Sequence, residues 1–248
     1  MTARAKRIGR IFIGTSGYNY NHWKGTLYPE TVSASKMLSI YAAVFPTVEI
    51  NYTFYHVPQE KTLQNWRSRV KPDFLFVLKA SKQITHNKKL AEVEDDLGVF
   101  CQRARILGDQ LGCILFQLPP SLHKDLGRLR SFLTLLPEDL RHAVEFRHDS
   151  WCDDSVFRLL EKHGVAYCIV SAPQLKTYFR ATADFAYLRF HGSTQWYSYN
   201  YSEAELADWA QQIRAFSQDG RDVYAFFNND YRAYAPQNAL KLIRLIER

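Results

Sequence analysis

Short apolar runs of strand length recur along the chain, and amphipathic stretches with helical spacing separate most of them. The runs span residues 11–14, 47–51, 74–79, 113–118, 142–147, 166–170, 186–191 and 223–228. The helical stretches span residues 36–45, 59–70, 90–107, 126–136, 155–163, 202–217 and 236–247. Eight strands that alternate with helices are typical of a parallel sheet with crossover helices. The pattern therefore predicts an α/β fold, a single (β/α)8 TIM-like barrel with parallel strands and outer helices.

An open doubly wound sheet is the alternative architecture for the same alternation. No GxGxxG or Walker-type loop follows the first predicted strand, which weakens this alternative. We expect one barrel domain, residues 11–248, behind a flexible basic tail, residues 1–10. No apolar run approaches the roughly 20 residues of a membrane helix, so we expect no membrane partner.

Polar residues stand two positions apart at the ends of several predicted strands. The pairs are Glu49 with Asn51, Glu145 with Arg147, and Arg189 with His191. Because strand side chains alternate between two faces, both members of each pair point the same way. Buried charges are costly unless they are paired or used. The irregular loops follow the strands, so we expect these groups to meet at the C-terminal mouth of the barrel.

Three of these residues are predicted catalytic groups. Glu145 is the predicted general acid/base, Glu49 its second carboxylate, and His191 a proton shuttle. The competing interpretation makes Glu145 a structural counter-ion of Arg147 or Arg189.

Further polar groups at the strand ends are predicted to bind substrate. They are Asn51, Lys79, His86, Gln117, Arg147, Arg189 and Asn228. The two arginines and the lysine would clamp an anion, because a guanidinium offers a bidentate fork to phosphate or carboxylate. Internal pairing with the two glutamates is the alternative. No HExxH, HxxEH or HxH spacing occurs, so we predict no metal ligand, and the cofactor stays open.

The composition bears on partners and location. A net charge of +7 over 248 residues permits an anionic partner, either a small anionic molecule or nucleic acid. Aromatic residues in the predicted loops could stack on sugars or bases, or pack the loops over the barrel. The four cysteines are scattered without a CxxC pair, which favours a reducing, cytoplasmic location.

Seven ordered motifs resemble one family closely. They are GTSGYNYNHWKGTLYP (14–29), FPTVEINYTFYHVP (45–58), FLFVLKASKQITH (74–86), LGCILFQLPPS (111–121), VEFRHDSW (144–151), YLRFHG (187–192) and FFNNDYRAYAPQNA (226–239). The chain resembles the YecE-like family, known as domain of unknown function seventy-two. The resemblance implies a TIM-like barrel and no established reaction. It also implies recurrent polar positions that add His148, Asn229 and Asp230 to the predicted substrate-binding residues.

The predicted function is an enzyme acting on a small anionic or sugar-like substrate at the barrel mouth. The reaction class stays open among hydrolysis, isomerisation and lyase chemistry. Two alternatives remain: a nucleic-acid-binding or nucleic-acid-processing protein, and a non-catalytic barrel that binds a regulator or partner. Barrels support many chemistries, so the fold alone does not choose among them. The sequence leaves the oligomeric state open.

Overall fold

Eight parallel strands form the centre of the structure, a computed structural model that describes residues 7–247. They are β1 (Ile11–Thr15), β2 (Thr47–Ile50), β3 (Leu75–Lys79), β4 (Leu111–Gln117), β5 (His142–Glu145), β6 (Ala166–Ser171), β7 (Phe185–Phe190) and β8 (Asp222–Phe227). Their spatial order is β1-β8-β7-β6-β5-β4-β3-β2. This order follows the chain without the reversal of a doubly wound sheet, and β1 lies beside β8. The predicted (β/α)8 barrel is confirmed.

The helices surround the strands. They are α1 (Ala34–Val44), α2 (Tyr52–Tyr55), α3 (Glu60–Ser68), α4 (Glu94–Ala104), α5 (Leu126–Leu133), α6 (Asp154–Lys162), α7 (Glu203–Gln218) and α8 (Tyr234–Glu247). Every predicted amphipathic stretch forms one of them, because its apolar stripe is buried against the sheet. The short helix α2 and a π-helical turn at Gln83–Asn87 were not predicted, since both are too short for a periodic pattern.

The connection between β6 and β7, residues 172–184, contains no helix. Side-chain hydroxyls hold it to the barrel instead. Thr177 Oγ1 donates to Val170 O at 2.8 Å, and Thr182 Oγ1 donates to Val165 O at 2.6 Å. The barrel therefore has an irregular segment on one side, and this segment contributes to the pocket described below.

The barrel closes between β1 and β2 with little direct pairing. An isolated bridge joins Ser16 to Glu49, and lower down the hydroxyl of Tyr41 fills the gap. Tyr41 Oη accepts from Thr15 N at 2.9 Å and donates to Thr47 O at 3.0 Å. Gly14 permits this approach, because a Cβ there would lie 2.2 Å from Thr47 O. The tyrosine is fully buried on α1, so it couples the first outer helix to barrel closure.

Replacement of Tyr41 by phenylalanine should lower the free energy of unfolding by about 1–3 kcal/mol, because the buried Thr15 N–H and Thr47 carbonyl lose their partner. Urea unfolding would measure the loss. Tyr55→Phe, at an exposed ring, is the matched control. Equal stability of the two variants would contradict a closing role for the hydroxyl.

Two apolar layers build the core. The larger lies between helices and strands. The smaller fills the barrel interior, with Phe12, Val77, Leu115, Tyr187 and Phe226 among its members. Because the side chains of this inner layer are buried and apolar, polar groups at the next level of the same strands rest on an apolar surface.

The predicted tail lies mainly outside the described residues, which begin at Arg7. Gly9 N donates to Ser217 O, and Arg10 N donates to the buried carboxylate of Asp222. Within residues 7–247, every helix is too short or too polar to span a bilayer. Residues Cys101, Cys113, Cys152 and Cys168 are unpaired thiols, and a cytoplasmic location stays a prediction.

Candidate functional site

The alternation of side chains along the strands brings the predicted polar groups to the C-terminal mouth of the barrel. Glu145 is the last residue of β5, Glu49 and Arg189 are the penultimate residues of β2 and β7, and His191 lies just beyond β7. All four side chains are at most 1% exposed. Arg147 also faces the mouth, although β5 ends two residues before it rather than at Arg147 as predicted. The site therefore sits directly above the apolar barrel interior.

Arg189 joins the two carboxylates. Its Nη1 donates to Glu145 Oε2 and its Nη2 to Glu49 Oε1, both at 2.6 Å. Tyr187, two residues earlier on β7, donates its hydroxyl to Glu49 Oε2 at 2.6 Å. These contacts cross the barrel from β7 to β2 and β5. Both terminal nitrogens of the guanidinium are thus paired internally, while its buried Nε has no hydrogen-bond partner among residues 7–247.

Arg147 occupies the level above this network. Its Nε donates to Glu145 Oε1, and its Nη2 lies 3.0 Å from His191 Nε2. Its guanidinium carbon stacks 4.7 Å from the ring centre of Trp196. Its side chain is 11% exposed, so it connects the buried ion network to solvent.

His191 is neutral in this setting. Burial and the adjacent Arg147 guanidinium lower its pKa to about 3. A guanidinium only donates, so Nε2 accepts and the ring proton belongs on Nδ1. The Asn228 side-chain amide lies 3.2 Å from that Nδ1. With the proton on Nδ1, the amide oxygen of Asn228 faces the ring and accepts the hydrogen bond. His191 therefore holds Arg147 in place with a neutral acceptor.

Both oxygens of Glu145 are occupied by arginines. Burial alone would raise its pKa, but the charges of Arg147 and Arg189 outweigh burial and hold the pKa well below its usual range. Each oxygen of Glu145 accepts a hydrogen bond from an arginine, and the low pKa keeps the carboxylate ionised. Neither oxygen is therefore well placed to exchange a proton with a substrate. The contacts favour the counter-ion interpretation of Glu145, and its acid/base role stays a prediction.

Lys79 and His86 form a second group at the mouth, next to Phe54. Lys79 Nζ lies 4.3 Å above the Phe54 ring, and the His86 ring meets the same phenyl edge-on at 4.9 Å. Burial and the charge of Arg189 lower the pKa of Lys79 to about 8. Burial and the charge of Lys79 lower the pKa of His86 to about 4. His86 belongs to the π-helical turn, an irregularity that often marks functional sites.

A cavity of about 510 Å³ opens above the ion network. The residues lining it come from the loops after β4, β5, β6 and β7, and they are Gln117, Pro120, Arg147, His148, Asp149, Pro173, Gln174, Leu175, Trp196 and Tyr197. The helix-free β6–β7 connection contributes three of them. Arg147 is thus both a partner of the buried glutamate and part of the pocket wall.

Other predicted residues lie away from this cluster. Asn51 begins α2 and lines a separate aromatic cavity of about 380 Å³. Asn229 is buried and donates to Tyr199 O and Asn238 Oδ1, which ties two loops together. Asp230 accepts from Trp23 Nε1 at 2.6 Å and pairs with His22. Burial raises the pKa of Asp230 to about 6.

The alternation of side chains along β7 could have identified one further residue of the site. Tyr187 shares the inward face of β7 with Arg189, but tyrosine is so common in apolar strands that it gave no distinct signal. Phe54 and Trp196 were predicted only as loop aromatics, and each covers a mouth cation. In the described part of the chain, no group of three or more His, Cys, Asp or Glu residues is arranged to hold a metal ion.

Several known proteins are similar to this chain in sequence and fold. The chain is 24% identical over 270 residues to UPF0759 protein YunF of Bacillus subtilis, covering 96% of this chain and 95% of YunF. The crystal structure of a DUF72 family protein from Thermotoga maritima is 31% identical, with a TM-score of 0.85, over 96% of this chain and all of that one. A DUF72 family protein from Enterococcus faecalis, 22% identical, has the same fold with a TM-score of 0.85, over 96% of each chain. The family model described as "Protein of unknown function DUF72" matches residues 12–248. This chain therefore belongs to the DUF72 family.

Proposed function

We propose that this protein is an enzyme that acts on a small anionic substrate bound at the barrel mouth by Arg147. The supporting observation is an excess of positive charge at one buried place. Three cations, Arg147, Arg189 and Lys79, face two carboxylates, Glu49 and Glu145. Such a mouth, with one more cation than anion, attracts a negatively charged ligand.

The division of labour between the two arginines supports the proposal. Arg189 is buried and donates from Nη1 and Nη2 to the two glutamates. Arg147 uses Nε on Glu145, and its guanidinium also lines the pocket, where it can receive a phosphate or carboxylate. In this proposal Glu145 and His191 are positioning residues that fix the guanidinium, and Gln117 and His148 orient the substrate from the wall.

The pocket volume suits a small molecule. About 510 Å³ lies in the range of ligand sites for compounds of this size. Trp196 and Tyr197 supply aromatic surface that could cover a sugar ring or carbon chain. The proposal covers hydrolysis, isomerisation and lyase chemistry, the classes that the sequence indicated.

Arg147→Ala should remove anion binding. We expect inorganic phosphate, a sugar phosphate or a short-chain carboxylate to raise the melting temperature of the wild-type protein by several degrees at saturation, because a ligand stabilises the state that binds it. The variant should lose most of that increase. Arg158→Ala, at an exposed position on α6, is the matched control.

Equal stabilisation of Arg147→Ala and wild type would reject the site. Stabilisation by oligonucleotides alone, unaffected by the variant and steeply reduced by salt, would support the nucleic-acid alternative instead.

A further inference from the structure

Lys79 occupies an unusual position among the cations of the mouth. It is the last residue of β3, and its backbone carbonyl accepts from Thr53 Oγ1 at 2.7 Å. The backbone is therefore held firmly at the site. The side chain is half-buried, so it is shielded from bulk water but still accessible.

The Lys79 amine lacks the partner that a buried ammonium normally has. No carboxylate among residues 7–247 lies within ion-pair distance of its Nζ, and none of their polar atoms accepts a hydrogen bond from it. The two nearby glutamates are already occupied by Arg189, Arg147 and Tyr187. A phenyl face is its close contact, and the neighbouring guanidiniums repel a further positive charge.

This arrangement makes the Lys79 ammonium easier to deprotonate than an exposed lysine, although most of it stays protonated at pH 7. Burial and the charge of Arg189 lower the pKa of Lys79 to about 8, so a substantial fraction is unprotonated slightly above neutral pH. Desolvation beside another cationic group is a known way to activate a lysine as a nucleophile. A purely structural lysine would be expected to use its charge in an ion pair, and this one does not.

We propose that Lys79 is a catalytic nucleophile that forms an imine with a carbonyl group of the anionic substrate. This inference rests on the proposed function, because Arg147 would hold the anionic group while Lys79 reaches the carbonyl. The substrate class is then an aldehyde or ketone that carries a carboxylate or phosphate. Among the three reaction classes, this chemistry selects isomerisation and lyase reactions.

The step balances without an oxidant or reductant. The lone pair of Nζ attacks the carbonyl carbon, and the carbonyl π electrons move to oxygen, which takes up a proton. The nitrogen then loses a proton, the carbon–oxygen bond breaks, and the oxygen leaves with a second proton as water. Neutral His86, packed against the same Phe54 ring, is a group able to carry these protons. The protonated imine can accept electrons when a bond at the neighbouring carbon breaks.

Reductive trapping tests the inference on the full chain. The protein would be treated with glyoxylate, pyruvate or pyridoxal 5′-phosphate together with sodium borohydride, and the modified residue mapped by peptide mass spectrometry. We expect Lys79 to be modified at least tenfold faster than exposed lysines with at least one probe. Lys79→Arg and Lys79→Met should abolish this fast modification, and Lys82→Arg, at an exposed lysine three residues away, should not.

The outcomes separate this inference from the proposed function. Modification at Lys79 that slows at least tenfold in Arg147→Ala supports both. Fast modification of Lys79 at the same rate in wild type and Arg147→Ala supports the reactive lysine and rejects the anion site at Arg147. Arg147-dependent stabilisation by these probes without trapping at Lys79 rejects the imine and keeps the anion site. The inference is overturned if all lysines, Lys79 included, are modified at the same slow rate and the folded Lys79→Met variant gives the same pattern at the remaining lysines.

Discussion

Replacement of Arg189 by methionine is expected to lower the free energy of unfolding by about 3–5 kcal/mol, because it leaves buried carboxylates without their counter-ion. Arg189 forms 2.6 Å bonds to both Glu49 and Glu145, and each carboxylate is fully buried. Glu145 retains Arg147, but Glu49 retains only the Tyr187 hydroxyl. The methionine side chain is also long and unbranched, so the decrease in the free energy of unfolding should come from the unpaired carboxylates rather than from a cavity.

Urea unfolding of the variant at several pH values would test this expectation. Carboxyl groups that have lost their counter-ion in the folded state take up protons more readily there than in the unfolded chain. Their contribution to stability is then present at low pH and lost as pH rises, so the gap between variant and wild type should narrow on acidification. Arg147→Met, at a partly exposed position, should cost less. A gap independent of pH would contradict an electrostatic origin.

Acidification below about pH 6.5 is expected to destabilise the wild-type protein through His191. Its pKa is about 3 in the folded state, against 6.5 for an unperturbed ring, because burial and Arg147 disfavour the imidazolium. For a depressed pKa, the stability is fully present above the unfolded value and is lost as pH falls. The free energy of unfolding should drop by about 2 kcal/mol between pH 6.5 and 5 from this residue alone.

His191→Asn should flatten the slope of unfolding free energy against pH in that interval. His86, with a pKa of about 4, and His142, whose pKa burial lowers, contribute with the same sign, whereas Asp230, whose pKa burial raises to about 6, contributes with the opposite sign. Some slope should therefore remain in the variant. His56→Asn, at an exposed ring, is the matched control. Glu145 acts at lower pH, below its unfolded pKa, and does not confuse the interval. An unchanged slope in His191→Asn would show that folding does not lower the pKa of this ring.

The contacts within the site differ from those that the simplest interpretation of its residues would give. Two carboxylates on inward-facing strands predicted acid/base chemistry, and the contacts place Glu145 between two arginines instead. Among the cations of the mouth, Lys79 is the one that forms no ion pair with a carboxylate of residues 7–247. The Lys79 amine is partly desolvated and lies near two guanidiniums, so it is less basic than an amine in water.

Hydrophobic periodicity was enough to predict the eight strands, the longer helices and the inward-facing polar residues. The period of two fixes which side chains share a face, so Glu49, Glu145, Arg189 and His191 had to meet if the strands closed into a barrel. Neither Asn229 nor Asp230 could be placed in this way, because both follow β8 in a loop where no period applies. The short helix α2 and the π-helical turn escaped prediction for the same reason.

The pairing of each acid with a particular base depends on long-range geometry and could not be predicted from the sequence. Arg189 and Glu49 are 140 positions apart in the chain, and their 2.6 Å contact depends on the width and stagger of the closed barrel. That geometry gives Glu145 two arginines and leaves Lys79 none of the carboxylates. A local pattern states where a side chain points, but the partner it meets depends on distances across the whole fold. The charge state of the site follows from those distances, and therefore from the fold rather than from any single segment.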